Sequence, residues 1–153
     1  TPPDGVAARS TFPGYVRSLN RDARLGTIVP FAVEVGGELA GQVHLFGVIR
    51  GSLMSGAAGY WVGERFAGQG VATRALAALV DHALGPLGLH RVEVNIRPEN
   101  EASLAVVAHL RFREEGVRRR YLHIEGDWRD HRCFALTAEE LVGPAIQRWR
   151  PRS

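Results

Sequence analysis

The period of the apolar positions changes several times along the chain. Phe12, Val16 and Leu19 recur at helical spacing among arginines, which predicts a helix over 10–24. Ser10 would cap it, and Pro13 falls in the first turn, where proline is tolerated. Residues 31–35 then read as a strand. Gly36-Gly37 is a two-residue hairpin signal, and 38–49 is the return strand, with a bulge marked near Gly41. Arg50-Gly51-Ser52 makes a turn before a third strand over 57–62. From Val71 the period becomes helical: Ala72, Ala75, Leu76, Leu79, Val80 and Ala83 keep i, i+3, i+4 spacing until Gly85-Pro86 stops the run. Val92, Val94 and Ile96 alternate with Arg91, Glu93, Asn95 and Arg97 in a strand that Pro98 ends. A helix follows over 101–110. Strands over 117–122 and 131–136 form a hairpin around Gly126-Asp127, and a short helix starts near Ala138 with Thr137 as cap.

The order helix, strands, helix, strand, helix, strands predicts an α/β (α+β) layer with a mixed sheet. A doubly wound sheet would need more βα repeats. No period of 20–50 residues recurs, so neither a solenoid nor a propeller is expected. The length, 153 residues, predicts one domain over 1–153.

Composition removes whole classes of chemistry. All 19 basic residues are arginine. Without lysine there is no Schiff base, no lysine general base and no P-loop lysine. The single cysteine, Cys133, excludes an intrachain disulfide and any multi-cysteine metal site. No apolar run has the length of a membrane span, and Thr1-Pro2-Pro3-Asp4 resembles no secretory signal. A cytoplasmic location is expected. The net charge of +3 permits an acidic partner without requiring nucleic acid.

The segment that carries chemistry is 59–73, a strand, a glycine loop and the start of the strongest helix. The loop reads Arg65-x-x-Gly68-x-Gly70. Glycines admit a close backbone approach, and a helix N-terminus offers unpaired N–H groups at its positive end. Together these suit pyrophosphate, with Arg65 adding a charged contact. A tight strand-to-helix turn that binds nothing explains the same residues equally well. A Rossmann dinucleotide site fits less well, because GxGxxG is absent and the next strand ends in Arg97 rather than an acid.

Six pieces in order resemble the GNAT acyl-CoA N-acetyltransferases, and among them the RimJ/RimL type that acetylates ribosomal-protein N-termini. They are Tyr60-Trp61-Val62, Arg65-x-x-Gly68-x-Gly70-Val71-Ala72-Thr73, Leu87-Gly88-Leu89-His90-Arg91-Val92-Glu93, Pro98-x-Asn100-x-x-Ser103, Phe112-Arg113-x-Glu115-Gly116 and Gly126-x-Trp128-x-Asp130. The resemblance implies a GNAT-like mixed, mostly antiparallel sheet with helices on both faces. It implies acetyl-CoA as cosubstrate, no metal, and direct attack by a primary amine. Arg65, Phe66, Ala67, Gly68, Gln69, Gly70, Val71, Ala72 and Thr73 would hold the CoA pyrophosphate. Trp61 and Val62 would pair with the pantetheine arm, and a backbone N–H near Val62 would polarise the thioester carbonyl. Asn95 and Asn100 complete the cofactor set, and Ser103 would protonate the leaving thiolate.

Simpler readings stand beside these. Asn100 is an ideal helix cap with Ser103 three residues on. Glu93, a catalytic candidate, also reads as a strand-surface charge. Set against the family's pattern, the usual opening strand and helix are not expected in this sequence, and where some members carry a carboxylate it has Leu122. Glu93, Glu64, Glu115 and His123 are therefore the candidate bases. The acceptor implied is a protein N-terminus, of ribosomal-protein type. The alternatives are a small amine, such as a polyamine or aminoglycoside, and a non-catalytic CoA- or RNA-binding module of the same fold. No membrane or direct nucleic-acid contact is expected, and a homodimer is open. His131 and Cys133 share a strand face but match no zinc spacing. The Arg118–Arg120 cluster reads first as a solvated strand end.

Overall fold

The computed structural model describes residues 12–148. Ser10, the first residues and the basic tail around Trp149 lie outside the described residues. The elements are α1 (Phe12–Arg24), β1 (Ile28–Val35), β2 (Glu38–Ile49), β3 (Ser55–Val62), α2 (Val71–Leu84), β4 (Arg91–Ile96), α3 (Glu101–His109), β5 (Arg113–Ile124) and β6 (Asp127–Thr137). Six strands form one sheet in the order β1-β2-β3-β4-β6-β5. Only β3 and β4 are parallel; the other neighbours are antiparallel.

One face of the sheet is apolar, and the strand alternation explains which. Val43, Leu45, Ala58, Val92, Val94, Ile96, Phe134 and Leu136 all join the core with Leu76, Leu79 and Val80 of α2 and Val106 and Val107 of α3. Both central helices therefore cover this face. Cross-strand partners share a face, so Gln42, His44, Phe46, Gly59 and Trp61 lie on the other one. There α1 makes contact: the Tyr15 hydroxyl donates to Gln42 Oε1 at 3.1 Å. Among the described residues, no helix is long and apolar enough to cross a membrane.

Several boundaries depart from the periodicity. β1 starts at Ile28 and includes Pro30, which an edge strand tolerates on its unpaired side. The bulge falls at Ala40, since Val33 pairs with Gly41 and Glu34 with Leu39. Gly41 has its own role: a Cβ there would collide with the Trp61 carbonyl, so glycine lets β2 approach the end of β3. The hairpin strands β5 and β6 run well beyond 117–122 and 131–136. The last helix shrinks to a 3₁₀ turn over Ala138–Glu140. Thr137 does cap it, in a reciprocal box with Glu140, but Gly143, at φ 73°, and Pro144 interrupt any continuation.

Asp81 of α2 fastens the end of the chain. Its carboxylate accepts the Ala145 N–H at 2.6 Å and the Ile146 N–H at 3.1 Å, where a second 3₁₀ turn begins. Asp81→Ala leaves both donors without that acceptor. It is expected to cost about 1–3 kcal/mol in a denaturant titration. A midpoint equal to wild type would show that the C-terminal segment contributes nothing to stability.

Candidate active site

The sheet opens at its centre. β3 and β4 share only Ser55↔Arg91, Gly56↔Val92 and Ala57↔Glu93. Beyond these, β3 stays with β2 as far as Gly41↔Val62, and β4 stays with β6 as far as Ile96↔Arg132. Each strand keeps its outer neighbour, so the gap opens between them. The Gly63 N–H donates to the Ala40 carbonyl at 2.8 Å, towards β2. By strand alternation, Val62 and Tyr60 direct theirs into the gap.

The loop at the mouth of the gap is held by local geometry. A 3₁₀ turn over Glu64–Phe66 follows Gly63, and the Gln69 side chain donates to the Arg65 carbonyl at 3.2 Å. Gly68 and Gly70 have φ of 73° and 75°. A Cβ at Gly68 would meet nothing within 4 Å, so it is the backbone conformation, not crowding, that favours glycine there. Gly70 is the N-cap of α2 and contributes no side-chain cap. The first helical bond is Arg74 N–H to Gly70 carbonyl, and among the described residues the backbone N–H groups from Gly68 to Thr73 donate no hydrogen bond of ordinary geometry. A run of open donors thus converges at the positive end of a helix, which is what a pyrophosphate requires. Arg65 stands beside it, ion-paired to Glu38 at 2.8 Å and with its guanidinium 5.3 Å from the Phe66 ring.

On the helix side of the gap, Asn100 caps α3: its Oδ1 accepts the Ser103 N–H at 3.1 Å. This leaves the Asn100 amide N–H₂ and the Ser103 hydroxyl to other uses. Tyr60 points from β3 towards them. Its hydroxyl is buried and faces Ser103, yet no hydrogen bond of normal geometry joins the two. Burial pushes the Tyr60 pKa up, so it stays a neutral donor. An orphaned hydroxyl beside a serine makes a polar spot at the gap, suited to a thioester or an amide-bearing chain.

Trp61, Glu93 and Asn95 lie on the opposite face. Trp61 is half exposed there, and its indole N–H reaches Gln42 Oε1 at 3.4 Å, the same atom that Tyr15 bonds. The Asn95 Oδ1 is buried without a partner, across from Cys133. Glu93 is not grouped with Ser103. It sits between Arg91, at 2.9 Å, and Arg118, at 3.3 Å. Arg118 also donates to the Tyr121 hydroxyl at 3.0 Å, so the first arginine of its cluster is tied down rather than simply solvated. Glu64 is exposed, and His123 stacks edge-on against Trp128 at the hairpin tip, 5.3 Å between ring centres.

Glu115 bridges Arg91 and Arg113, and Arg113 continues to Glu140 at 2.8 Å. Hydrogen bonds from Arg91 and then Arg113 hold its carboxyl down at about 2. A lowered folded pKa gives stability that is complete above the unfolded carboxylate value and is lost as pH falls towards 2. Because the group is close to solvent, the gain is about 1 kcal/mol at most. Glu115→Gln is expected to flatten the acid limb of a stability–pH curve between about pH 4.5 and pH 2. An unchanged limb would remove Glu115 from that role.

Comparison with known proteins gives the family and the fold. A family model described as an acetyltransferase (GNAT) domain matches residues 5–113. The chain belongs to the GNAT acetyltransferase family. Its fold superposes on Mycobacterium smegmatis RimJ, solved in complex with CoA-disulfide, with a TM-score of 0.86 and 46% identity over 89% of this chain and 65% of that one. The [ribosomal protein uS5]-alanine N-acetyltransferase of Escherichia coli is 35% identical over 103 residues, 67% of this chain and 53% of the relative. The probable N-acetyltransferase YjcK of Bacillus subtilis is 38% identical over 98 residues, 64% of this chain and 54% of YjcK. The chain spans about half the length of these two curated relatives. The mixed, mostly antiparallel sheet with helices on both faces, expected from the motifs, is the GNAT arrangement.

Proposed function

We propose that the chain transfers acetyl from acetyl-CoA to the α-amine of a protein N-terminus, of the ribosomal-protein type. The observation that carries this reading is the run of open N–H groups from Gly68 to Thr73 at the mouth of the gap between β3 and β4. The names of the relatives point the same way. RimJ was solved with a CoA compound, and the E. coli enzyme is named for acetylation of a ribosomal-protein alanine.

In this reading the pyrophosphate lies on the amides of 68–73, with Arg65 exchanging Glu38 for phosphate. The pantetheine arm follows β3 down the gap, using the free donors of Tyr60 and Val62 and the Asn100 amide. One of the two β3 donors faces the carbonyl oxygen as it becomes negative. The amine attacks from the face that carries Trp61 and Gln42, opposite the helices. Ser103 gives the departing sulfur its proton, and Tyr60 is placed to support it. Glu93, held by two arginines, fits the wall of the acceptor side better than the role of base. Such an acceptor places the reaction in the cytoplasm.

Thiol release from acetyl-CoA, followed with peptides that begin Ala, Ser or Thr, tests this. Transfer to at least one peptide is expected, with polyamines poorer. Turnover only with polyamines would replace the acceptor class. No turnover with any amine would remove the activity.

A further inference from the structure

His44 lies in β2, directly opposite Gly59 of β3, on the face away from α2 and α3. Its ring lies against Gly59: a Cβ there would come within 2.9 Å of Cε1 and Nε2. Glycine at 59 thus makes room for an imidazole edge, two residues past the last β3–β4 pair, where the gap begins. Phe46 packs beside it, 5.5 Å between ring centres. The Nδ1 atom is buried with no partner. A buried imidazole nitrogen without a hydrogen bond is costly in a merely structural role.

We propose that His44 takes the proton from the acceptor amine, through Nε2 over Gly59, directly or by one water. This rests on the acetyl-transfer reading above. The surroundings suit a neutral imidazole. On β1 its cross-strand partner is Pro30, and on β2 its flanking residues of the same face are Gln42 and Phe46. From α1 the titratable groups on this face are Tyr15, bonded to Gln42, and Asp22, seven residues on and paired with Arg21. From β4 it is Glu93, level with Ala57 and occupied by Arg91 and Arg118. No acid is bonded to the ring, and burial lowers its pKa below the ordinary histidine value.

The step balances without a co-reactant. An ammonium N–H gives its proton to Nε2. The freed lone pair forms the C–N bond at the thioester carbon. The C–S bond breaks and its electron pair leaves on sulfur. A second proton departs nitrogen and reaches sulfur by way of Ser103, and His44 returns its own to solvent.

The test is the rate of acetyl transfer to an Ala-first peptide by the full chain and by His44→Gln and His44→Phe, from about pH 6 to about pH 9.5. CoA affinity and melting are measured in parallel. A terminal amine has an ordinary pKa of about 7.7–8.0 and needs no base above it. Both variants are expected to lose about 10²-fold in kcat at the acid end, to converge on wild type above about pH 9, and to bind CoA normally. If the phenylalanine variant does not fold, the glutamine variant decides. Wild-type kcat at low pH, or an equal loss at every pH, would overturn the assignment of His44 alone. No acetyl transfer by the wild-type chain would overturn the transfer reading and this inference together.

Discussion

Gly70→Val, and Gly68→Val likewise, leaves a folded chain that no longer binds acetyl-CoA. Both glycines have left-handed backbones, at φ 75° and 73°. A β-branched residue there costs about 1–3 kcal/mol of strain, so the loop escapes by leaving that conformation. The escape turns the open N–H groups of 68–73 away from their common focus. Hydrogen bonds to a charged group are worth about 1.5–3 kcal/mol each, so losing two costs about 10²–10⁴-fold in affinity. The fold survives because the core is made elsewhere: Leu76, Leu79 and Val80 of α2 pack against the sheet below the loop. Calorimetry with CoA and a thermal melt on the same sample separate the two effects. An unchanged affinity would mean that the pyrophosphate does not lie on this loop.

Ser103→Ala lowers kcat by about 10²-fold and changes CoA affinity little. The structure makes this substitution unusually clean. Asn100 caps α3 through the Ser103 backbone N–H, which alanine keeps, so the helix loses nothing. What disappears is the hydroxyl that faces Tyr60 and the gap. Steady-state rates and CoA titrations on the variant decide the point. Wild-type turnover would reduce Ser103 to a helix position with no chemistry. Asn100→Ala makes the contrast, since it removes the cap itself and costs about 1 kcal/mol of stability.

Much of this was legible in the sequence because it is local. The helix Val71–Leu84, the glycine loop before it and the Asn100 cap each depend on residues close along the chain. The gap was not legible from periodicity. It arises because β3 and β4 hold their outer neighbours more fully than each other, and the outer neighbour of β4, β6, lies far along the chain, beyond α3 and β5. Along the sequence Glu93 reads as a surface charge or a candidate base; only the fold brings Arg118 of β5 to it, from 25 residues away. Tyr60 was visible only as part of a motif, and its buried hydroxyl depends on where α3 docks. His44 carries no signal of its own in the sequence, because a polar residue in an alternating strand reads as outward-facing. The signal that would have found it is the glycine paired opposite, which strand register alone reveals.

The most direct test of the account is a single assay. The 153-residue chain is incubated with acetyl-CoA and a peptide beginning with alanine, and mass spectrometry locates any acetyl group. Acetylation at the peptide α-amine is expected, dependent on the chain and abolished by Gly70→Val. An unmodified peptide at saturating acetyl-CoA, or equal acetylation by wild type and Gly70→Val, would contradict it.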